Sequence, residues 1–387
     1  MDTLALTSWW PLRAPLLVAA IAVVVLLVWR GRRWWSRAGL TALLVLLLPL
    51  NVLTGVNAYF GYFRTVGELS GSAGDDATTL AAIDAMSPTA RTLPTHGEVL
   101  SVDIPGTRSH FRTRPALVYL PPAWFAHNQP HLPVLMLLHG TPGAPSDWVD
   151  GAEATGTLDR WAEAHHGVTP VVVMPDVNGG FTADTECVDG PPGNAETYLT
   201  SDVPDYVEHK FGVAPPGRAW AIGGLSEGGM CAAMLTLRHP QLASTFVDLS
   251  GLAGPRTGLT NAVGGTVSAL FHGSQPQFDA HEPAWLLTHD RYPAVAGWFE
   301  AGGQDGPAVD AARLLAALSA RAGITTRLTV VPGAEHTFTL WHSALADALP
   351  WIVARVDGRT PATGPTTRSP AIVAKTPTIM VADTAHR

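Results

Sequence analysis

The five residues Gly224-Leu225-Ser226-Glu227-Gly228 constrain this chain more than any other stretch, because of what flanks them. The run Arg218-Ala-Trp-Ala-Ile-Gly223 before them is short and apolar, as a buried strand would be. Residues Gly229 to His239 after them read as a helix that stops at Pro240. A serine between such a strand and such a helix sits on a sharp turn with its Oγ exposed, and nothing bulky fits two residues to either side. Gly224 and Gly228 meet that need, and Gly229 lets the helix approach the sheet. In a chain with 38 glycines the G-x-S-x-G pattern alone says little. The strand-turn-helix context makes Ser226 a candidate nucleophile.

The surrounding pattern gives the fold class. Val99–Ile104 and Ala116–Leu120 read as an antiparallel pair ended by Pro121-Pro122. Pro133–Leu138 and Val171–Met174 are continuous apolar runs, typical of strands buried on both faces. After the Ser226 strand come Ser244–Leu249, Ala296–Phe299 and Arg327–Val331, with helical patterns at 158–165, 205–211, 308–321 and 343–356. About eight strands alternating with helices predict an α/β protein with a mostly parallel sheet, the α/β-hydrolase arrangement.

A serine hydroxyl needs a base, and the base needs an orienting carboxylate. In this fold the order along the chain is nucleophile, acid, histidine. His336 follows the last strand at once and is the expected base; His342 is the rival, better suited to packing. Glu300 and Asp305 compete as the acid after the strand at 296–299, and the flexible Gly-rich loop favours Asp305. Asp310 reads as a helix N-terminal charge. Two backbone amides should receive the oxyanion. One is that of Glu227, whose carboxylate is expected to turn towards solvent or a salt bridge. The other comes from Leu138-His-Gly-Thr-Pro-Gly143: Pro142 has no N–H, so Thr141 or Gly140 supplies it. Asp176, Asp184, Glu186 and Asp189 read as solvating an extended loop, and no metal cluster, phosphate loop or dinucleotide fingerprint is expected, so no cofactor.

At 387 residues the chain is 47% hydrophobic and only 14% charged, a bias concentrated in its first sixty residues. Pro15–Trp29 and Ala38–Leu50 carry no charge, and with their flanks each approaches the ~20 residues that span a bilayer. Arg30, Arg32, Arg33 and Arg37 between them place that loop in the cytoplasm by the positive-inside tendency, so the chain beyond Phe63 is expected outside the cell membrane. A cleaved signal peptide fits less well, for want of a small-x-small site. The expected organisation is a membrane hairpin over 1–64, a connector over 65–94 with a helix near Ala77–Met86, a catalytic domain over 95–358 and a disordered tail over 359–387. The net charge of −8 speaks against a nucleic-acid partner. Cys187 and Cys231, the only cysteines, are candidates for a disulfide in an oxidising compartment.

These motifs together resemble the esterase family that includes esterase D, feruloyl esterases and the mycolyltransferases of the antigen 85 complex. The resemblance runs from about Gly97 to Val356 and rests on Val118–Pro122, Leu138–Gly143, Gly224–Gly229, Gly302–Asp305 and Glu335–Trp341. It implies ester chemistry on the α/β-hydrolase fold. The family usually has methionine after the nucleophile, where this chain has Glu227. Three functions follow as expectations. One is a membrane-anchored esterase acting on a small-molecule, lipid or sugar ester. The second is an acyltransferase acting on a cell-envelope sugar or lipid, and the third an inactive scaffold. The irregular stretch Gly254–Pro293 is expected to form a cap over the pocket.

Overall fold

The computed structural model describes residues 9–30, 34–60, 78–79, 94–126, 131–258 and 260–357. Helices α1 (Trp9–Arg30) and α2 (Trp34–Phe60) pack against each other. Within α2, the 19 residues Arg37–Gly55 are apolar and long enough to cross a membrane, and almost none of this stretch is buried in the protein. The apolar part of α1, Ala14–Leu27, is shorter. Of the two spans expected from the sequence, one therefore meets the length among the described residues. The connector helix expected near Ala77–Met86 is replaced at Thr78–Thr79 by a two-residue strand, β1. The rest of that segment and the expected tail beyond Asp357 lie outside the described residues.

The main sheet continues with β2 (Glu98–Val102), β3 (Ala116–Leu120), β4 (Val134–Leu138), β5 (Val171–Met174), β6 (Gly217–Leu225), β7 (Ala243–Leu249), β8 (Ala296–Gly302) and β9 (Thr325–Val331). Their spatial order is β1-β2-β3-β5-β4-β6-β7-β8-β9. Among the described residues of this sheet, only the β2–β3 and β3–β5 pairings are antiparallel. The apolar run of β4 pairs in parallel with β5 on one side and β6 on the other, and every one of its residues is buried. Alternation along it builds two cores. Val134, Met136 and Leu138 face α4 (Val203–Phe211), α5 (Glu227–Arg238) and α8 (Gly306–Ala322). Leu135 and Leu137 face α3 (Ala154–Ala164) and α9 (Phe338–Val356). Helices on both faces explain why these strands read as unbroken apolar runs.

The segment Gly254–Pro293 is not irregular, as the sequence suggested. It carries helices α6 (Val263–Leu270) and α7 (Pro283–His289), with a short turn of helix at Gln275–Asp279 between them. Pro276 and Pro283 stand in first turns, where no N–H is needed, so they start helices rather than break them. Buried Glu196 ties this segment to the body: it accepts from Arg238 Nε at 2.7 Å and bonds His239 Nε2 at 2.7 Å and His281 Nε2 at 2.9 Å. Burial works against the charge on Glu196, but these partners outweigh it and hold its pKa well below the usual glutamate range. A second tie runs from Thr257 Oγ1 to Asp184 Oδ2 at 2.6 Å.

Candidate active site

Ser226 joins β6 to α5 with φ 55° and ψ −123°, a left-handed conformation that costs a non-glycine residue about 1–3 kcal/mol. Its backbone is held on both sides. The N–H donates to Leu249 O at 2.8 Å, and the carbonyl accepts from Gly229 N at 2.9 Å and Met230 N at 3.3 Å. The neighbouring glycines are required by close approach. A Cβ on Gly224 would collide with the carbonyl of Gly228, and one on Gly228 with the carbonyls of Leu138 and His139. Gly228→Ala therefore forces the end of β4 away from the elbow. It should destabilise the protein by about 3 kcal/mol and displace Ser226 from its partners. Denaturant unfolding checks this, and unchanged stability would contradict the packing.

His336 Nε2 lies 2.9 Å from Ser226 Oγ, and His336 Nδ1 lies 2.6 Å from Asp305 Oδ2. Nδ1–H donates to the carboxylate, which leaves Nε2 free to accept from the serine hydroxyl. Asp305 caps α8, its Oδ1 accepting from Ala308 N at 3.4 Å. The loops after β8 and β9 are laced together by Gly303 N to Val331 O at 2.8 Å and Gln304 N to Ala334 O at 2.9 Å, which sets Asp305 beside His336. Glu300 stands elsewhere. Strand β8 runs on to Gly302 rather than ending at Phe299, so Glu300 lies inside it, 1% exposed, accepting from Trp298 Nε1 at 3.0 Å. Burial pushes its pKa up to about 7. His342 falls within α9, with Nδ1 3.1 Å from Ala152 O. Asp310 is an exposed residue within α8 rather than at its start.

The loop after β4 is bracketed by polar side chains. His139 is fully buried, with Nδ1 2.8 Å from Gly140 O and Nε2 3.2 Å from both Val177 N and Asp176 Oδ1. Nδ1 carries a hydrogen, since a lone pair there would face a carbonyl oxygen. The Gly140 carbonyl is thus turned towards His139. Across the trans peptide the Thr141 N–H points the opposite way. Gly140 itself abuts Ser226: a Cβ on it would lie 3.0 Å from Ser226 Cβ. Arg114 grips Asp176 through Nη2–Oδ1 at 2.6 Å and Nε–Oδ2 at 3.1 Å. Burial opposes the Asp176 charge, but hydrogen bonds from the Arg114 side chain and backbone, with the guanidinium charge, prevail and keep its pKa well below the carboxylate range.

The Glu227 carboxylate corrects the sequence expectation. It does not turn to solvent or to a cation. Oε2 is hydrogen-bonded to Thr141 Oγ1 and accepts from Asn178 Nδ2 at 2.8 Å, while Oε1 accepts from Glu186 N at 3.1 Å. Burial, then the nearby Asp184 charge, pushes its pKa up to about 7. Burial, then Glu227 and Asp184, raises that of Glu186 well above the ordinary value. Asp176, Asp184 and Glu186 therefore do not simply solvate a loop; only Asp189 is exposed, and it accepts from Thr197. Cys187 and Cys231 are joined in a disulfide across 44 residues of sequence. Their sulfurs and a Glu227 oxygen form the one potential metal-ligand group among the described residues, but the sulfurs bond each other and offer no thiolate.

Sequence reasoning missed Arg114, Asn178 and the side-chain role of Glu227. Asn178 lies 37 residues from Thr141 and 49 from Glu227, with no periodic pattern linking them. The one available signal was Glu227 itself, an acid at a position where the resembled family carries methionine.

Comparison with known proteins agrees with this architecture. A family model described as "Putative esterase" matches residues 109–352. An uncharacterized protein of Corynebacterium glutamicum is 34% identical over 354 residues, covering 88% of this chain and 81% of that one. The MPT51 antigen of Mycobacterium leprae is 29% identical over 149 residues, 38% of this chain and 46% of its own. A solved ferulic acid esterase superposes with a TM-score of 0.58 at 21% identity, covering 67% of this chain and 99% of that one, a likeness of fold. The match spans the sheet from β3 onward and most of α9, so the chain belongs to the esterase family on an α/β-hydrolase fold.

Proposed function

We propose that this chain is a serine esterase anchored in the cell membrane with its catalytic part on the extracytoplasmic side. The observation that carries the chemistry is the continuous hydrogen-bonded path from Ser226 Oγ through His336 to Asp305, at 2.9 and 2.6 Å. Ser226 Oγ attacks the carbonyl carbon of a carboxylic ester while His336 Nε2 takes its proton. The tetrahedral intermediate expels the alcohol, which receives that proton, and leaves an acyl-serine. Water, deprotonated by His336, then releases the acid and restores the hydroxyl. Asp305 holds His336 in the Nδ1–H tautomer and stabilises its cation. The oxyanion goes to the amides of Glu227 and Thr141. The Glu227 amide opens α5, where a helix leaves its first N–H groups without an intrahelical carbonyl. The apolar stretch Arg37–Gly55 and the arginines at 30–37 support the membrane placement.

One experiment tests both parts. A charged, membrane-impermeant fluorophosphonate is added to intact cells carrying the full chain, and the adduct is located by peptide mass. Label on Ser226 in intact cells is the expected result. Label that appears only after lysis would reverse the placement, and none in either would sink the esterase reading. Supplying sugar or lipid alcohols alongside an activated ester then shows whether water or an alcohol takes the acyl group.

A further inference from the structure

The two amides assigned to the oxyanion sit on separate pieces of chain, 86 residues apart. Pairing of β4 with β6 fixes their relative height only as far as Leu138 opposite Gly224, three residues short of each amide. The backbone beyond is a loop on one side and a helix start on the other. Beyond the paired strands, the Glu227 side chain is bonded to the Thr141 hydroxyl and so links the two segments that carry the amides. Asn178 Nδ2 braces the contact, donating to Thr141 Oγ1 at 2.6 Å and to Glu227 Oε2 at 2.8 Å. Asn178 is fixed in turn, its Oδ1 accepting from Thr185 N at 2.8 Å and its N–H donating to Asp176 Oδ1 at 3.2 Å.

We propose that the Glu227 side chain is a positioning residue of the oxyanion hole, holding the Thr141 amide at a set distance from the Glu227 amide. This rests on Ser226 being the nucleophile. One residue would then supply a donor through its backbone and place the second donor through its carboxyl group. The chemistry of the position supports this. An acid buried here without a cation is unfavourable, as its raised pKa records, and methionine would avoid that cost but could accept none of the three hydrogen bonds. A carboxylate has about four acceptor sites, enough to take Thr141, Asn178 and the Glu186 amide together. Glutamine cannot: whichever way its amide turns, an NH2 faces either Asn178 Nδ2 or Glu186 N.

The test uses the full chain in detergent with p-nitrophenyl butyrate. Glu227→Met and Thr141→Val each lower kcat about 10- to 100-fold with KM within about threefold, because a displaced donor is lost chiefly in the transition state. Glu227→Gln falls between Glu227→Met and the parent. Thr141→Ser, which keeps the hydroxyl, retains more kcat than Thr141→Val. The double variant Glu227→Met/Thr141→Val is no slower than the worse single one, since both break one link. Parental kcat in Glu227→Met, or losses that multiply in the double variant, overturn the proposal. If Glu227→Met does not fold, the Thr141→Val and Thr141→Ser pair decides, and equal kcat in the two overturns it. A parent chain without turnover or fluorophosphonate labelling removes the nucleophile assignment instead, a distinguishable failure.

Discussion

Ser226→Ala lowers kcat for an activated ester by about a millionfold, His336→Ala by a similar factor, and the two together by no more than either alone. The reason lies in the geometry: Ser226 Oγ and His336 Nε2, 2.9 Å apart, perform one proton transfer between them, so removing either removes the step. Asp305→Asn is milder at about 10⁴-fold, because asparagine keeps the shape but presents an NH2 to Nδ1 and favours the wrong tautomer. Glu300→Gln is the informative control. Glu300 touches Trp298, and with its pKa raised to about 7 much of the carboxyl is already neutral, so the amide is a close substitute. Its kcat should stay within about threefold of the parent, as for a substitution away from the reacting atoms. Steady-state kinetics of the five variants decides the matter. A larger loss in Glu300→Gln than in Asp305→Asn would reverse the choice of acid. Multiplicative losses in Ser226→Ala/His336→Ala would show that the two residues do not act as a unit.

What the sequence revealed and what it hid divide along the range of the interactions. β3, β4 and β5 were legible because each is a run of buried apolar residues directly preceded by a proline, a local signal. The elbow was legible because Gly224, Gly228 and Gly229 stand together within six residues of chain, though only the demand on Gly224 is local and the others are made by Leu138, His139 and Asp248. His336 and Asp305 followed from their places after β9 and β8, which chain order alone supplies. The end of β8 was misjudged because Glu300 looks like the edge of a strand; only the tertiary structure shows it buried against Trp298. The start of α9 was misjudged too, since Thr337-Phe-Thr339 has β-type composition, and the helix begins at Phe338 because Phe338, Leu340 and Trp341 pack into the core. The inward turn of Glu227 depended on Asn178 and Glu186 arriving from a distant loop, and no spacing encodes that. The helices of Gly254–Pro293 were hidden by prolines whose effect depends on helix phase.

The disulfide joins two of these ranges. Replacing Cys187 and Cys231 together by alanine should lower the unfolding free energy by about 4 kcal/mol, the chain-entropy value for a loop closed over 44 residues. That is a large share of the ~5–15 kcal/mol that stabilises an ordinary domain. Alanine is the substitution to use, because both cysteines are fully buried and a serine hydroxyl there would add the cost of an unpaired polar group. The bond anchors to α5 the loop that carries Asn178 and Glu186, the groups facing Glu227. Yet those hydrogen bonds do not use the sulfurs. Under strongly native conditions the alanine variant should keep most of the parent kcat and lose it only at lower denaturant or temperature. Guanidinium unfolding of the full chain in detergent, followed by fluorescence and by ester turnover, reads both effects. Reduction of the parent by a dithiol supplies the comparison: it opens the same loop without deleting the sulfurs. Equal losses by the two routes identify loop closure as the source of stability, whereas a much larger loss in the alanine variant assigns the excess to the space the sulfurs fill. A loss below about 1 kcal/mol by both routes would mean that the loop is already held by Glu227 and Asn178 and that the bond adds little to them.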